Sequence, residues 1–263
     1  MPEGLPAGLA ALSIRGLGMV FERGAASVEA LAAVDLEVAD REFVAIVGPS
    51  GCGKSTLLKL VAGLRRPTRG EIALYGRPVR GPRSDVGIVF QSPVLLPWRT
   101  VLDNVLLPAD VLRLPRAEYR DRAAALLELV GLAGFERHYP QELSGGMQQR
   151  AAIARALVHD APLLLMDEPF GALDAMTREQ MNLELQRIWA AQRKTVMFIT
   201  HSIPEAVFLA DRVVVMSARP GRVLEVIDNP MPRLRTLDDT LKPEFGELVR
   251  RVRLLLGGHG VAL

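Results

Sequence analysis

Short apolar runs bounded by turn residues recur along the chain. Continuous apolar runs of this length predict strands that are buried on both faces of a sheet. Helical patterns separate several of the runs, and this alternation predicts parallel strands joined by crossover helices. The predicted strands are Phe43–Val47, Val86–Phe90, Leu163–Met166, Thr195–Thr200 and Val213–Met216.

The segment after the first predicted strand has the periodicity of an amphipathic helix. Apolar residues recur there at intervals of three and four, a spacing that places them on one helical face. They are Leu57, Leu60, Val61 and Leu64. Pro67 follows, and we expect it to end the helix because proline cannot continue the backbone hydrogen-bond pattern.

Two other regions depart from this alternation. Towards the amino terminus, segments of alternating polarity predict a smaller antiparallel sheet. Between Gln91 and Asp160 the strand pattern disappears, and segments rich in Ala, Leu and Arg predict a helical insertion. The antiparallel segments are Leu12–Leu17, Val34–Val38 and Glu71–Tyr75, and the helical segments are Arg116–Val130 and Met147–Val158.

These patterns predict an α/β fold with a mostly parallel sheet, an N-terminal antiparallel β subdomain and an inserted helical subdomain. We expect one domain at residues 1–230, with the helical subdomain at about residues 92–160. A short tail at residues 231–263 follows, and it contains an amphipathic basic segment, Glu244–Leu256.

Composition narrows the class of protein. Of the 263 residues, 49% are hydrophobic and 24% are charged, and the net charge of +2 does not favour a dedicated nucleic-acid binder. No run approaches the roughly 18 apolar residues of a membrane span, and the first residues lack the basic start and apolar core of a signal peptide. Cys52 is the only cysteine, so no internal disulfide can form. These features predict a soluble cytosolic protein.

The first predicted strand leads into a sequence that fits the pattern G-x-x-x-x-G-K-[ST]. Because an amphipathic helix follows, the glycines would let backbone N–H groups surround an anion at the positive end of that helix. The lysine would bridge the β- and γ-phosphates of a nucleotide, and Ser55 would hold Mg²⁺. The alternative is a glycine-rich turn with a surface lysine. The segment consists of Gly48, Pro49, Ser50, Gly51, Cys52, Gly53, Lys54, Ser55 and Thr56.

A second predicted strand, Leu163–Met166, ends in two adjacent carboxylates. Successive residues at a strand end point in different directions, so the two can take distinct roles. Asp167 would reach the Mg²⁺ shell, and Glu168 would polarise a water for in-line attack on the terminal phosphate. The alternative is a solvated turn before Pro169.

A second phosphate-binding helix start is predicted at Ser144, Gly145 and Gly146. Ser144 stands where an N-cap residue would stand, and the two glycines allow an anion to approach the backbone closely. One nucleotide cannot easily use both helix starts of a single chain. The alternative is a capped helix with no ligand.

Leu143–Arg150, with the sequence Leu-Ser-Gly-Gly-Met-Gln-Gln-Arg, resembles the signature sequence of ATP-binding-cassette (ABC) ATPases. It follows the phosphate loop and Gln91, and it precedes Asp167–Glu168 and His201. This order matches the family, and the resemblance covers essentially Leu12–Asp228. It implies a P-loop NTPase fold that hydrolyses ATP with Mg²⁺. It also implies a head-to-tail homodimer, with each ATP between one phosphate loop and the partner's signature.

The resemblance implies roles for single residues as well. Gln91 corresponds to the glutamine that senses Mg²⁺ and the attacking water, and His201 to the switch histidine that contacts the γ-phosphate. Ala172–Asp174 resembles the D-loop of the dimer interface, and Asp174 is counted with the nucleotide site. Phe21 matches the aromatic residue that stacks on adenine, with an ordinary core position as the alternative.

Two positions depart from the family pattern. Met147 replaces the commoner glutamine of the signature, and Arg41 replaces a glycine in the turn before Glu42–Phe43. Methionine occurs at this signature position in importer cassettes, so neither change removes the expected ATP hydrolysis. Arg41 leaves the geometry of its turn open.

Several segments are similar to the nitrate, sulfonate and taurine branch of importers, in which the stretch after Gln91 faces the membrane subunit. They are Val89–Val105, Gly48–Thr56 and Met176–Arg178. Leu95, Leu96 and Trp98 form an apolar cluster that predicts a protein interface. Local packing within the helical lobe is the alternative.

These resemblances lead to one main hypothesis, the ATPase subunit of an importer for a small anionic solute of the nitrate, sulfonate or taurine kind. Its partners would be a second copy of itself, membrane-spanning permease subunits and, indirectly, a solute-binding protein, with no nucleic acid. It would lie peripherally on the cytoplasmic face of the inner membrane. A soluble cassette ATPase of DNA repair or translation and the ATPase of an exporter are the alternatives. The signature, Gln91 and His201 argue against a P-loop nucleotide kinase.

A separate prediction concerns the reactivity of the Cys52 thiol. It lies two residues before Lys54 and close to a helix N-terminus, and both features favour the thiolate. Its alkylation would then be selective, would block hydrolysis and would slow when ATP is bound. The alternative is a small residue whose thiol points into the core.

Overall fold

The computed structural model describes residues 10–24, 26–171 and 173–258. Expectations that concern residues 1–9 and Ala172 lie outside this part of the chain. The described residues form two compact units, the first drawn from Met1–Arg83 and Lys194–Leu263 and the second from Ser84–Arg193. The predicted limits of the domain, its helical subdomain and its tail stay predictions.

Strands and helices alternate over most of the described chain. The strands are β1 (Leu12–Arg23), β2 (Ala26–Val38), β3 (Phe43–Val47), β4 (Arg69–Leu74), β5 (Arg77–Pro78), β6 (Val86–Val89), β7 (Leu163–Asp167), β8 (Thr195–Ile199), β9 (Arg212–Met216) and β10 (Val223–Asp228). The helices are α1 (Lys54–Val61), α2 (Val101–Val105), α3 (Leu107–Val111), α4 (Arg116–Leu129), α5 (Gly145–Leu157), α6 (Ala175–Gln192), α7 (Ile203–Leu209) and α8 (Pro243–Gly257), with short 3-10 helices at Pro140–Glu142 and Leu237–Leu241. Across the described residues, no helix is both long enough and apolar enough to cross a membrane.

The core of the first unit is built on β3. This strand pairs in parallel with β8 on one side and with β9 on the other, and β10 continues the sheet antiparallel to β9. Every residue of β3 and β8 is buried, which explains their largely apolar sequences. The rings of Phe43 and Phe198 lie 5.8 Å apart between their centroids. The parallel core predicted from the apolar runs is confirmed.

The predicted antiparallel sheet is also confirmed in the first unit. Its strand order is β2-β1-β4-β5, and each neighbouring pair is antiparallel. β1 and β2 are longer than the alternating segments of the sequence indicate.

The second unit contains the predicted helical insertion. β6 and β7 pair in parallel, and α2 to α5 lie between them in the chain. From Gln91 to Asp160, a range that the structure describes in full, no residue belongs to a strand. An α/β fold with parallel strands, an antiparallel sheet and an inserted helical region is therefore what the sequence forms.

One local prediction is wrong, and one strand is not predicted at all. Helix α1 ends at Val61, and Gly63 adopts a φ of +70° just after it, so the helix stops well before Pro67. Leu64 consequently lies outside the helix and is exposed. The apolar pattern also does not predict β10, because most residues of this strand are only half-buried and give no continuous apolar run.

The turn before β3 shows what Arg41 does at a position where the family pattern has glycine. Its φ is +60°, in the left-handed region that favours glycine. Its N–H donates a hydrogen bond to Oγ1 of Thr195 at 2.8 Å, so the turn keeps its geometry despite the side chain. The ion pair of Arg41 with Asp40 joins two exposed side chains and contributes little.

Arg41→Gly is therefore expected to raise the free energy of unfolding by roughly 0.5–1 kcal/mol, because relief of left-handed strain outweighs the added freedom of glycine in the unfolded chain. Urea denaturation measures the change. Arg80→Gly, at an exposed loop position without a positive φ, is the matched control and should lower stability. A lower free energy of unfolding in both variants would show that the backbone at Arg41 is not strained.

Candidate functional site

The phosphate loop lies in the first unit, between the buried strand β3 and helix α1. Gly51 and Gly53 have φ values of +74° and +105°, which favour glycine. A Cβ at Gly53 would lie 2.7 Å from Cδ2 of Leu31 and 2.8 Å from the carbonyl oxygen of Ala30. Glycine is therefore required at Gly53 both by the backbone conformation and by the closeness of β2.

Lys54, the first residue of α1, places its own ammonium group beside this loop. It is 6% exposed, and its Nζ donates hydrogen bonds to the carbonyl oxygens of Gly48 at 2.8 Å and Pro49 at 3.0 Å. The first turn of α1 contains no acidic residue. A buried ammonium group at a helix N-terminus, with no carboxylate in that turn, suits an anion. The alternative of a surface lysine is wrong.

The reactive thiolate expected at Cys52 is also wrong. Cys52 is 1% exposed. Burial raises the pKa of its thiol, and this effect outweighs the attraction of the Lys54 ammonium, which lies 3.9 Å from Sγ. A Cβ at Gly48 would lie 2.9 Å from the same sulfur. The thiol therefore points into the core, and we expect slow alkylation whether or not ATP is bound.

The predicted switch histidine directly follows β8. His201 is exposed, and hydrogen bonds hold the residues that follow and precede it. Oγ1 of Thr200 donates to the Glu205 carboxylate and accepts from the N–H of Ser202 at 3.0 Å. Oγ of Ser202 caps α7 by accepting from the N–H of Glu205. The backbone at His201 is thereby fixed.

In the second unit, the acid pair lies at the end of β7. Asp167 is the last residue of the strand, and Glu168 follows with a φ of +45°. A glutamate in the left-handed region is strained, and backbone strain is concentrated at functional sites. Both residues are half-buried, and Pro169 after them is buried. Half-burial and strain do not fit the alternative of a solvated turn.

Gln91 lies beside the same turn. A Cβ at Gly171 would lie 3.5 Å from Nε2 of Gln91 and 3.7 Å from Cβ of Glu168. The N–H of Gly171 also donates to the carbonyl oxygen of Glu168 at 3.1 Å. The second unit therefore brings together two predicted catalytic residues that lie far apart in the sequence.

The signature forms a capped helix start, as predicted. Ser144 is the N-cap of α5, and its Oγ accepts from the N–H of Met147 at 3.3 Å. The helix begins at Gly145, slightly earlier than the sequence pattern indicates, and its first turn contains no acidic residue. A Cβ at Gly145 would meet open space. This helix start is therefore a second place that suits an anion.

Leu173 of the D-loop and the first turn of α6 lie near the start of the signature helix. A Cβ at Gly146 would lie 4.0 Å from Cδ2 of Leu173 and 3.4 Å from Cγ2 of Thr177. Asp174 caps α6 by accepting from the hydroxyl of Thr177 at 2.6 Å and from its N–H at 3.0 Å, and these hydrogen bonds lower the pKa of Asp174. The structure explains Asp174 as a helix cap, and its contact with nucleotide stays a prediction.

Phe21 lies on β1 in the first unit and is half-buried. The guanidinium carbon of Arg65 lies 5.1 Å from the centroid of its ring, a cation–π contact. A half-buried ring beneath a cation does not fit an ordinary core position. Stacking on adenine stays a prediction.

The residues expected to hold Mg²⁺ are suitable in their chemistry. Ser55 offers a hydroxyl, Gln91 an amide oxygen and Asp167 a carboxylate. Mg²⁺ prefers hard oxygen ligands of this kind and is usually shared with phosphate oxygens and water. Each of these three groups is therefore of a kind that this ion binds.

Two residues of the site have no role assigned from the sequence, Gln149 within the signature segment and Gly221 outside any motif. Gln149 is buried on α5, and its Nε2 donates to the carbonyl oxygen of Phe90 at 3.3 Å, which ties the signature helix to the backbone just before Gln91. Gly221 lies against the phosphate loop, with its Cβ position 2.1 Å from the carbonyl oxygen of Cys52. The sequence signal for Gln149 is its place in the signature segment, directly before the apolar run of α5.

Comparison with known sequences agrees with this geometry. A family model described as ABC transporter matches residues 31–171. An uncharacterized ABC transporter ATP-binding protein of Methanocaldococcus jannaschii is 51% identical over 86% of this chain and 85% of its own length. The aliphatic sulfonates import ATP-binding protein SsuB of Bacillus cereus is 44% identical over 92% of this chain and 94% of its own. The taurine import ATP-binding protein TauB of Rhizobium johnstonii is 48% identical over 88% of this chain and 90% of its own length.

Solved structures show the same similarity in the fold. A dimeric ATP-binding cassette in a post-hydrolysis state, bound to ADP and Pi, has a TM-score of 0.72 and 34% identity. A dimeric bacterial ABC transporter cassette has the same TM-score and identity. Each match covers 86% of this chain and 100% of the solved chain.

Proposed function

This chain belongs to the ABC transporter family of ATP-binding proteins and is an ATPase, and from that premise we propose that it is the ATP-hydrolysing subunit of an importer. Relatives that are import ATP-binding proteins for aliphatic sulfonates and for taurine support this proposal. They favour a sulfonate or taurine among the small solutes of the nitrate, sulfonate or taurine kind that the sequence resemblance implies, and the solute would pass through separate membrane subunits.

We assign the first-unit residues of the site to nucleotide binding. Lys54 and the N–H groups of Gly48–Thr56 bind the phosphates, and the Ser55 hydroxyl is a ligand of Mg²⁺, which offsets phosphate charge when bound. Phe21 stacks on adenine, and His201 contacts the γ-phosphate. The buried ammonium group and the acid-free helix start support these assignments.

The second-unit residues are assigned to hydrolysis and to the partner's nucleotide. Glu168 takes the proton of the attacking water, while Asp167 and Gln91 contribute oxygen ligands for Mg²⁺. Ser144–Gly146 binds the ATP of the partner copy, and Asp174 lies at the dimer interface. The strained backbone at Glu168 and the capped, acid-free start of α5 support this division of roles.

The proposed assembly is a homodimer closed head to tail around two ATP molecules. Similar cassettes have been solved as dimers, and each chain here carries two helix starts that suit an anion. Further partners are membrane-spanning permease subunits and, indirectly, a solute-binding protein. The subunit would lie peripherally on the cytoplasmic face of the inner membrane.

The observation that carries the assignment of a membrane partner is an exposed apolar loop in the second unit. Trp98 is 72% exposed and Val94 is 59% exposed, whereas Leu95 and Leu96 are half-buried. Large apolar side chains that cluster at the surface mark a protein interface. Local packing therefore does not account for Trp98.

The fully buried side chain of Asn104 holds this loop in place through hydrogen bonds. Asn104 accepts a hydrogen bond from the N–H of Leu96 at 2.7 Å. Its amide nitrogen lies within hydrogen-bond distance of three backbone carbonyl oxygens, those of Leu96, Arg99 and Thr100. A loop ordered in this way loses little conformational entropy when a partner docks on it.

Arg155 holds the other end of the loop. It is buried on α5, and its guanidinium donates to the carbonyl oxygens of Pro93 and Val94, both at 2.7 Å. Burial lowers the pKa of Arg155, and the two carbonyl oxygens offset the loss of water around its charge. Val94 itself has a φ of +47°, a conformation that this clamp stabilises.

Trp98→Ala tests the proposed partner. Truncation of an aromatic anchor at the centre of an interface commonly costs about 2 kcal/mol or more, so binding to the permease subunits should weaken by roughly 30-fold. Coupled transport should fall with it, while ATP hydrolysis by the isolated subunit stays at the wild-type rate. Reconstitution with the permease and solute-binding protein in liposomes, together with a pull-down, measures these quantities.

Leu254→Ala, which removes a similarly exposed apolar side chain from α8, is the control and should leave assembly unchanged. If Trp98→Ala instead destabilised the isolated subunit and left binding to the permease intact, the loop would be a packing element rather than a docking surface.

A further inference from the structure

Gly221 lies against the phosphate loop although it is remote from the motif in the sequence. A Cβ at this position would lie 2.1 Å from the carbonyl oxygen of Cys52, 3.0 Å from Cε of Met216 and 3.2 Å from Cδ2 of Leu31. Its φ is not in the left-handed region. Space, rather than backbone conformation, is therefore what requires glycine here.

Strand β2 holds Gly221 in this place. The N–H of Gly221 donates to the carbonyl oxygen of Ala30 at 2.9 Å, and its carbonyl oxygen accepts from the N–H of Ala32 at 3.0 Å. The same carbonyl oxygen of Ala30 would lie 2.8 Å from a Cβ at Gly53. Three backbone segments, β2, the Gly221 turn and the phosphate loop, thus meet at close range, and the side chain of Leu31 packs against both glycines.

The turn that carries Gly221 is closed by its own hydrogen bonds. Ser217 donates its N–H to the carbonyl oxygen of Arg222 at 2.9 Å, and its Oγ accepts from the N–H of Arg222 at 3.0 Å. The residue before it, Met216, also borders the loop, because a Cβ at Gly48 would lie 3.1 Å from both Cβ and the carbonyl oxygen of Met216. The end of β9 and this turn therefore form one wall of the phosphate loop.

We propose that Gly221 is a positioning residue for ATP, which acts through Cys52 by setting where the backbone of the phosphate loop lies. The inference rests on the proposed role of Gly48–Thr56 in binding phosphate. A side chain at position 221 would displace the Cys52 carbonyl and, with it, the neighbouring N–H groups. Misplacement of a binding group by about 1 Å is enough to lose a large factor in function.

Gly221→Ala is expected to raise the KM for ATP roughly tenfold with a smaller change in kcat, because the phosphates are bound less well. The second readout is the thiol of Cys52, the only cysteine of the chain and a buried one. In the absence of nucleotide, a maleimide should label this thiol at least about tenfold faster than in the wild type. The reason is that displacement of the loop exposes the sulfur to solvent.

Gly246→Ala is the matched control, because it adds the same methyl group in the same unit where a Cβ meets open space. It should leave the KM and the labelling rate at wild-type values. Ser217→Ala provides a second variant that inserts no bulk. It removes hydrogen bonds that close the turn. The KM for ATP and the labelling rate of Cys52 should therefore both rise, by about threefold.

A folded Gly221→Ala protein with wild-type KM and wild-type labelling would overturn the inference. If that variant does not fold, wild-type values in Ser217→Ala would overturn it equally. Failure of the proposed function looks different, since the wild-type protein would then not bind ATP at all. The labelling rate still reports on the loop in that case, because it is measured without nucleotide.

Discussion

Glu168→Gln is expected to lower kcat for ATP hydrolysis by roughly 10²- to 10⁴-fold and to leave ATP affinity close to that of the wild type. The amide has the size of the carboxylate and meets the same backbone strain at φ +45°. It cannot accept the proton of the attacking water, so only the chemical step is lost. Steady-state phosphate release and equilibrium nucleotide binding measure the two effects separately.

The same variant should accumulate as an ATP-bound dimer. Two signatures close on two ATP molecules in the proposed assembly, so a variant that binds ATP without hydrolysing it should keep that assembly closed. Light scattering with and without MgATP measures the shift in mass. A Glu168→Gln protein that stays monomeric with ATP at high concentration would remove the support for a head-to-tail dimer in the isolated subunit.

Glu118→Gln is the matched control for the chemical step. Glu118 is an exposed glutamate on α4 in the same unit, and its loss of charge should leave hydrolysis unchanged. Hydrolysis at the normal rate by Glu168→Gln itself would show that the general-base assignment is wrong.

Lys54→Ala is expected to act on binding rather than on the chemical step alone. The ammonium group is buried and is the cation that the structure places over the loop, with two loop carbonyls as its partners. Hydrogen bonds to charged groups contribute about 1.5–3 kcal/mol, so the Kd for ATP should rise by roughly 10- to 100-fold. Isothermal titration with MgATP measures the change.

Lys59→Ala is the control for Lys54→Ala. Lys59 lies on the same helix, α1, but is exposed, so removal of its charge tests whether net charge alone attracts the nucleotide. The assignment of Lys54 would be wrong if both variants bound ATP with the same affinity.

Much of the architecture is readable from the sequence because it depends on local chemistry. A strand buried on both faces must be apolar throughout, as β3 is, and an anion-binding helix start needs glycines and no nearby acid, as at Gly48–Lys54. Ser144 is recognisable as an N-cap for the same reason, since its partner is only three residues away.

Predictions that depend on contacts between distant segments are the ones that were wrong. The pattern of α1 continues to Leu64, but the helix ends at Val61, where Gly63 has a left-handed φ and lies so close to Gly81 that a Cβ would be 2.0 Å from its carbonyl oxygen. Cys52 has a neighbouring cation that favours the thiolate, yet burial outweighs that attraction. Burial depends on the whole fold and leaves no local sequence signal.

The sequence by itself determined the family, the order of the motifs and the chemical type of each candidate residue, because these depend on residue identity and spacing. Only the tertiary structure decided which of these residues meet and what supports them. It brought Gln91 beside the turn of Glu168 and placed Gly221 against the carbonyl oxygen of Cys52. The physical reason is close packing, in which the space allowed to one residue is set by segments far away in the chain.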